Sequence, residues 1–210
     1  MENNSNRDII PEPALRRLPW YLAYVSLQRE RGVEYVSSTQ ISRELKVDAS
    51  QIAKDLSFLD IKGKTRIGYE VKLLEHKLEE FLGFRRQHRA VIVGAGSLGG
   101  ALMQDSGLNR YGMEIVAGFD VDPALVGKEK HGLPVYHVDD LIEMVEELQA
   151  GIGIVTVPVE HAQETADLLI EAGVKAIWNF TPYRICVPEG VVISNTSIYA
   201  HLAVMYNRMA

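Results

Sequence analysis

Val91-Ile92-Val93-Gly94-Ala95-Gly96-Ser97-Leu98-Gly99 is the stretch whose reading decides the fold of this 210-residue chain. From Ala90 to Val93 runs a short apolar, β-branched segment, the mark of a strand buried on both faces of a parallel sheet. Glycines follow in the spacing G-x-G-x-x-G, and Leu98, Ala101 and Leu102 begin an amphipathic helix. Each glycine has a physical task. Gly94 allows the tight turn, Gly96 lets the backbone approach a pyrophosphate, and Gly99 allows the helix to pack closely on the strand. Gly94, Ala95, Gly96, Ser97, Leu98 and Gly99 are therefore candidate ligand contacts, with the free N–H groups of the helix start turned to phosphate.

Downstream, strand-like runs at 116–119, 152–157, 176–180 and 191–193 alternate with helical patterns at 139–150 and 161–172. That alternation predicts an α/β fold with a doubly wound, Rossmann-like parallel sheet. Asp120 ends the second strand, 21 residues after Gly99. A carboxylate there accepts hydrogen bonds from adenosine ribose hydroxyls and repels a 2′-phosphate, so NAD(H) is expected over NADP(H). Val121 and Asp122 accompany it. Thr156-Val157-Pro158 and Asn179-Phe180-Thr181 fall at strand C-termini, where open α/β sheets bind ligands; equally, each following proline can simply end its strand. A glycine-rich turn of a flavodoxin-like or CoA-binding domain is the other reading of the fingerprint.

Upstream of residue 90 the period is helical. Residues 15–31 place Leu18, Leu22, Val25 and Leu27 as the apolar positions of a first helix, and 71–82 repeat Leu74, Leu78, Phe81 and Leu82. Ser37 with Gln40 three residues later forms a capping box for a second helix. Lys46-Val47 makes a turn, and Asp48 with Gln51 repeats the same capping pattern for a third. Ile52, Leu56 and Leu59 form the inner stripe of that third helix. Ser50, Gln51, Ala53, Lys54 and Ser57 remain for the outer face, short or polar enough to approach a groove. Two short helices joined by a tight turn define a helix-turn-helix. Gly63-Lys64-Thr65-Arg66-Ile67-Gly68-Tyr69 then reads as a cation-tipped wing. Arg16, Arg17, Lys54, Lys64 and Arg66 favour DNA as the partner, against a protein-binding helical module.

Charge separates the two halves. Residues 1–90 hold 16 Lys and Arg against 13 Asp and Glu, a net of +3, whereas 91–210 hold 6 against 15, a net of −9. A single cysteine, Cys186, excludes an intrachain disulfide and fits a reducing compartment. No apolar run approaches a membrane span, and residues 1–13 lack the apolar core of a signal peptide, so a cytoplasmic protein is expected. No Tyr-x-x-x-Lys pair occurs, and no histidine stands beside an acid at a catalytic spacing. Roughly 120 residues of nucleotide-binding pattern leave no second domain for a substrate. A sensor is expected, with a small NAD-dependent oxidoreductase as the enzymatic alternative and no catalytic or metal residue assigned. From Ser197 to Arg208, Ile198, Leu202, Met205 and Tyr206 form one helical stripe, which can pack on its own domain or cross to a partner subunit.

Taken in order, these segments resemble the Rex family of redox-sensing transcriptional repressors. The resemblance rests on Pro13-Ala14-Leu15-Arg16-Arg17-Leu18-Pro19, Val36-Ser37-Ser38-Thr39, Gln51-Ile52-Ala53-Lys54-Asp55-Leu56-Ser57, Gly68-Tyr69 and the glycine run. Beyond it lie Phe119-Asp120-Val121-Asp122-Pro123, Pro134-Val135-Tyr136-His137, Val157-Pro158, Asn179-Phe180 and Val187-Pro188-Glu189-Gly190-Val191. The resemblance implies a winged-helix DNA-binding domain over 1–83, a NAD(H)-binding domain over 84–196 and a swapped dimerisation helix over 197–210. It implies a homodimer that holds inverted-repeat operator DNA and leaves it when NADH binds, NAD⁺ being permissive. Arg16, Ser38, Ser50, Gln51, Ala53, Lys54, Ser57, Lys64, Arg66 and Tyr69 are the expected DNA contacts. The chain departs from the family where Ala53 stands for a common Arg, Asp105 for a frequent Tyr and Ser197 for a frequent Asp. The last two positions are ones the family uses to couple nicotinamide state to closure. A regulator responding to another nucleotide or to CoA is the remaining alternative.

Overall fold

Two acids buried against a long first helix organise the N-terminal part of the chain. In the computed structural model, which describes residues 10–209, α1 (Glu12–Glu30) starts three residues before the expected 15. Pro13 lies in its first turn, where a missing N–H costs nothing. Its inward face is Ala14, Leu18, Tyr21, Leu22, Val25 and Gln28. Leu27, another apolar position of this helix, is 43% exposed, because the 3.6-residue period carries it off that face.

After β1 (Tyr35–Val36) come α2 (Ser38–Leu45) and α3 (Ala49–Leu56). The Ser37 capping box forms as expected. Gln40 N–H donates to Ser37 Oγ (3.2 Å) and Ser37 N–H to Gln40 Oε1 (2.7 Å). At Asp48 only half of the pattern forms. Its carboxylate accepts from the Ser50 and Gln51 N–H groups, but the Gln51 amide turns away to Asp55 (2.8 Å). A single turn of 3₁₀ helix at Ser57–Leu59 buries Leu59 beside Ile52 and Leu56.

Asp55 is fully buried and accepts four donors: Arg17 Nε (2.7 Å) and Nη2 (2.8 Å), Tyr21 Oη (2.7 Å) and Gln51 Nε2 (2.8 Å). Four donors fill the lone pairs of one carboxylate. Burial pushes this carboxyl up, and the bonds from Arg17, Tyr21 and Gln51 outweigh it, holding the group below the ordinary range. A second acid, Glu75 on α4 (Val71–Leu82), takes Ser26 (2.7 Å) and Arg29 (2.8 Å), pinning α4 to α1. Between α3 and α4 lies the wing. Lys64 and Gly68 exchange backbone hydrogen bonds, and β2 (Tyr69–Glu70) pairs antiparallel with β1. Gly68 has φ +110°, and a Cβ there would meet the Val36 carbonyl oxygen at 2.3 Å, so no other residue fits.

The chain divides into two units between Arg85 and Arg86. The second unit runs β3 (His88–Val93), α5 (Ser97–Gln104), α6 (Ser106–Arg110), β4 (Met113–Asp120), β5 (Glu129–Lys130) and β6 (Leu133–His137). It continues with α7 (Leu141–Glu147), β7 (Ile152–Val155), α8 (Ala162–Glu171), β8 (Ala176–Asn179), β9 (Val192–Asn195) and α9 (Ile198–Met209). Among the described residues one seven-stranded sheet forms, in the order β5-β6-β4-β3-β7-β8-β9. Every pairing is parallel except the β5–β6 hairpin, which periodicity alone did not indicate. Consecutive crossovers run outward from β3 to opposite sides, so the switch point lies between β3 and β7. No residue of α9 is buried; Tyr199, Met205 and Tyr206 are more than half exposed. No helix among the described residues is long and apolar enough to cross a membrane.

Asp55→Ala leaves Arg17 without its partner and should cost about 3–5 kcal/mol in urea unfolding followed by circular dichroism. The native carboxyl titrates below its unfolded value of about 3.9, so its contribution is complete above that value and fades as pH falls through the native one. Asp55→Asn should accordingly flatten the acid limb of the stability–pH curve.

Candidate functional site

The end of β3, the start of α5 and the end of β4 meet at the glycine loop. Gly94 has φ +96°, and a Cβ there would stand 2.7 Å from the Thr156 carbonyl oxygen. Gly99 faces the loop so closely that a Cβ would stand 2.0 Å from the Gly94 carbonyl oxygen. Gly96 differs from both: an added Cβ meets nothing within 4 Å. That open side is where a ligand backbone can approach, and it lies at the N-terminus of α5. Thr156 Oγ1 donates to the Gly94 carbonyl (2.8 Å), tying the loop to the strand across the switch point. Asp120 accepts the Ala95 N–H (2.7 Å) on one oxygen and the Val121 (2.8 Å) and Asp122 (3.0 Å) N–H groups on the other. Its carboxylate is thereby fixed in direction at the end of β4, with acceptor capacity left for a hydroxyl.

Beside the loop opens a cleft of about 340 Å³, of the size that holds part of a dinucleotide. Val93 lines it together with Gly94, Gly96, Asp120, Val121, Thr156, Val157 and Pro158, the last seven being among the candidate contacts read from the sequence. Val138, His161, Glu164, Thr165 and Leu168 also line it and were not anticipated. The signal was present in α8, since 164, 165 and 168 share one helical face with its N-cap residue 161, but only the sheet order shows that this face turns to the switch point. Val121, Val138, Val157 and Leu168 give the cleft apolar lining, and Asp120 lines it too.

Ala95, Ser97, Leu98, Gly99 and Asp122 belong to the loop and turns around the cleft rather than to its lining. Asn179, Phe180 and Thr181 also lie outside that lining. Asn179 is fully buried and donates to the Tyr183 carbonyl (2.6 Å) and Asn195 Oδ1 (2.9 Å), and its own oxygen accepts the Thr181 N–H (2.8 Å). Phe180 packs on Trp178 at 4.5 Å. Asp105 caps the short α6 through the Gly107 N–H (3.2 Å), and Ser197 caps α9 through the Ala200 N–H (3.2 Å). Among the described residues no His, Cys, Asp and Glu cluster could hold a metal ion.

In the N-terminal unit, Ser50, Ala53 and Lys54 of α3 are exposed, as is Ser57 at its C-cap. The expected set is altered by local bonds. Gln51 and Arg17 are spent on Asp55, Ser50 Oγ donates to Asp48 (2.5 Å), and Ser57 Oγ donates to the Lys54 carbonyl (2.6 Å). Lys54 keeps an exposed ammonium. Arg16 is exposed and paired with Glu12 (2.7 Å); Ser38, half-buried, opens α2. At the wing, Arg66 is exposed with φ +63°. Lys64 donates to Tyr35 Oη (2.6 Å), and Tyr69 is half-buried under Gly63. A helix-turn-helix with a wing on one unit, and an open dinucleotide fold on the other, define a ligand-responsive DNA-binding regulator.

The comparisons agree. Residues 9–57 match the family model "Putative DNA-binding protein N-terminus", and residues 85–183 match "CoA binding domain". A redox-sensing transcriptional repressor Rex of Bacteroides thetaiotaomicron is 60% identical over 200 residues, covering 95% of this chain and 91% of its own. The Rex-family repressor RSP in complex with β-NAD⁺ and operator DNA has a TM-score of 0.92 at 33% identity, covering 96% of this chain and 93% of its own. The same repressor with β-NADH gives 0.86 at 33% identity, with 96% and 94% covered. The chain belongs to the Rex family of redox-sensing transcriptional repressors. The family is one of regulators, which sets the oxidoreductase alternative aside.

Gly99→Ala has no room and should lower the stability of the C-terminal unit by about 1–3 kcal/mol. Gly96→Ala should cost less than about 1 kcal/mol. Denaturant unfolding followed at Trp178 separates the two.

Proposed function

We propose that this chain is a redox-sensing repressor which holds inverted-repeat operator DNA as a homodimer and releases it when NADH binds. The observation that carries the reading is the pairing, within one chain, of a glycine loop open at Gly96 beside Asp120 and a winged helix-turn-helix. A relative of the same fold is described with β-NAD⁺ and operator DNA together.

The residues present suit NAD(H). The α5 N-terminus offers donors to a pyrophosphate, and Asp120 offers acceptors to a ribose and repels a 2′-phosphate. The apolar lining of the cleft takes the adenine. Residues 84–196 serve as the nucleotide domain, with Asn179, Phe180 and Thr181 shaping its nicotinamide end. Residues 1–83 serve as the DNA-binding domain. There Lys54 and the α3 face enter the major groove while Lys64 and Arg66 lie along the backbone or minor groove. Residues 197–210 form the dimerisation helix: the uncovered apolar stripe of α9 is buried by crossing to the partner subunit. The cytoplasm is where such a protein meets both DNA and the NADH/NAD⁺ ratio.

Release requires that NADH bind the DNA-free form more tightly than the DNA-bound form. A hundredfold difference corresponds to a coupling of about 2.7 kcal/mol.

Fluorescence anisotropy on a selected inverted-repeat duplex tests this. NADH should lower the bound fraction, whereas NAD⁺, NADPH and CoA at equal concentration should not. A protein that retains no inverted-repeat duplex under any condition would refute the proposal. Asp120→Ala should weaken NADH at least about tenfold, the scale of a lost charged hydrogen bond. On the DNA side, Lys54→Ala and Arg66→Ala should each weaken binding. A purely phosphate contact would reduce the salt slope by about 1, with equal loss on all sequences.

A further inference from the structure

We propose that Lys130 is the cation of the dinucleotide site, holding the glycine loop in its binding shape and drawing the pyrophosphate to it. The proposal rests on the NAD(H) reading above. Lys130 closes the short strand β5, and the β5–β6 hairpin turns at His131 (φ +52°) and Gly132 (φ +80°), a pair of left-handed residues typical of tight two-residue hairpins. From that edge the side chain reaches over the first turn of α5. Its ammonium donates to the Ala95 carbonyl (2.5 Å) and the Gly96 carbonyl (3.0 Å). Ala95 is thus held on both sides, its N–H by Asp120 (2.7 Å) and its carbonyl by Lys130.

Gly100 supplies an independent observation. It lies inside α5 without a positive φ, where glycine costs about 1 kcal/mol relative to alanine. A Cβ at Gly100 would stand 2.4 Å from Lys130 Cε and 2.8 Å from Nζ. The glycine leaves the space through which the lysine stem passes. Charge then gives the contact its use. The ionisable residues lining the cleft are Asp120, Glu164 and His161, so its formal charges repel a dianion. The Lys130 ammonium is bonded to the carbonyl of the peptide unit that carries the Ser97 N–H, and that N–H is among the first free donors of α5. A unit charge acting across one peptide unit on a pyrophosphate alters affinity by about tenfold.

The test measures NADH affinity at low and high salt for the wild-type protein, Lys130→Met, Gly100→Ala and the double variant, with uncharged adenosine as a second probe by ligand-observed NMR. Lys130→Met should bind NADH about tenfold more weakly with a smaller salt dependence, while adenosine binding stays unchanged. Gly100→Ala favours the helix, so it does not threaten folding, and it should reproduce the NADH loss by displacing the lysine. The double variant should be no weaker than either single one, as expected for two changes acting on one contact. Wild-type NADH affinity and salt dependence in Lys130→Met would overturn the proposal. So would an equal loss of adenosine, which would mean that the loop had merely collapsed. A wild-type protein that binds no NADH would instead overturn the reading of the site, and the role of Lys130 with it.

Discussion

Everything at the nucleotide site depends on how closely helix α5 approaches the end of strand β3. Gly99 sits so near the Gly94 carbonyl that even a methyl group would overlap it, and this contact sets where the helix N-terminus points. Three further ties keep the loop in that place. Thr156 bonds the Gly94 carbonyl, Asp120 bonds the Ala95 N–H, and Lys130 bonds the Ala95 and Gly96 carbonyls. Each comes from a different strand or strand end. The loop is therefore a product of sheet order, because only the parallel pairing of β3 with both β4 and β7 brings Asp120 and Thr156 to it.

The N-terminal unit uses another kind of constraint. Its recognition helix is short, eight residues, and an isolated helix of that length is unstable in water. Apolar packing through Ile52 and Leu56 is supplemented by the saturated carboxylate of Asp55, which bonds two residues of α1 and one of α3 itself. A buried ion pair adds little net stability, but it tolerates only one orientation. That orientation leaves Ser50, Ala53, Lys54 and Ser57 outward, the surface a groove would meet. Of these, Lys54 alone brings a charge.

The most legible parts of the chain were those in which local chemistry and period agree. The capping box at Ser37 and Gln40 formed as its residues require, because both partners lie within one helical turn. The second box failed for a related reason. Gln51 had a competing acceptor one turn further on, and whether Asp55 was buried there could not be judged from spacing. Arg17 illustrates the same limit: an arginine on a DNA-facing segment looks available until its acid, 38 residues away, is seen. Leu27 is apolar like Leu18, Leu22 and Val25, yet helix geometry leaves it at the surface.

By itself the sequence determined the two-part organisation, the glycine fingerprint with its strand, helix and Asp120, and the winged helix-turn-helix, since each follows from spacing over a few residues. Family membership was legible as well, because many short motifs recur in one order. The tertiary structure alone decided which residues share the cleft. Glu164, Thr165 and Leu168 of α8, with His161 at its N-cap, reach it, while Asn179 and Thr181 turn into a buried hydrogen-bond network. It alone brought Lys130 to the glycine loop and gave Gly100 a reason to lack a side chain. The physical cause is common to all of these. Side-chain direction at a strand end or hairpin edge depends on which strands become neighbours, and neighbours in a sheet are chosen by packing over the whole unit.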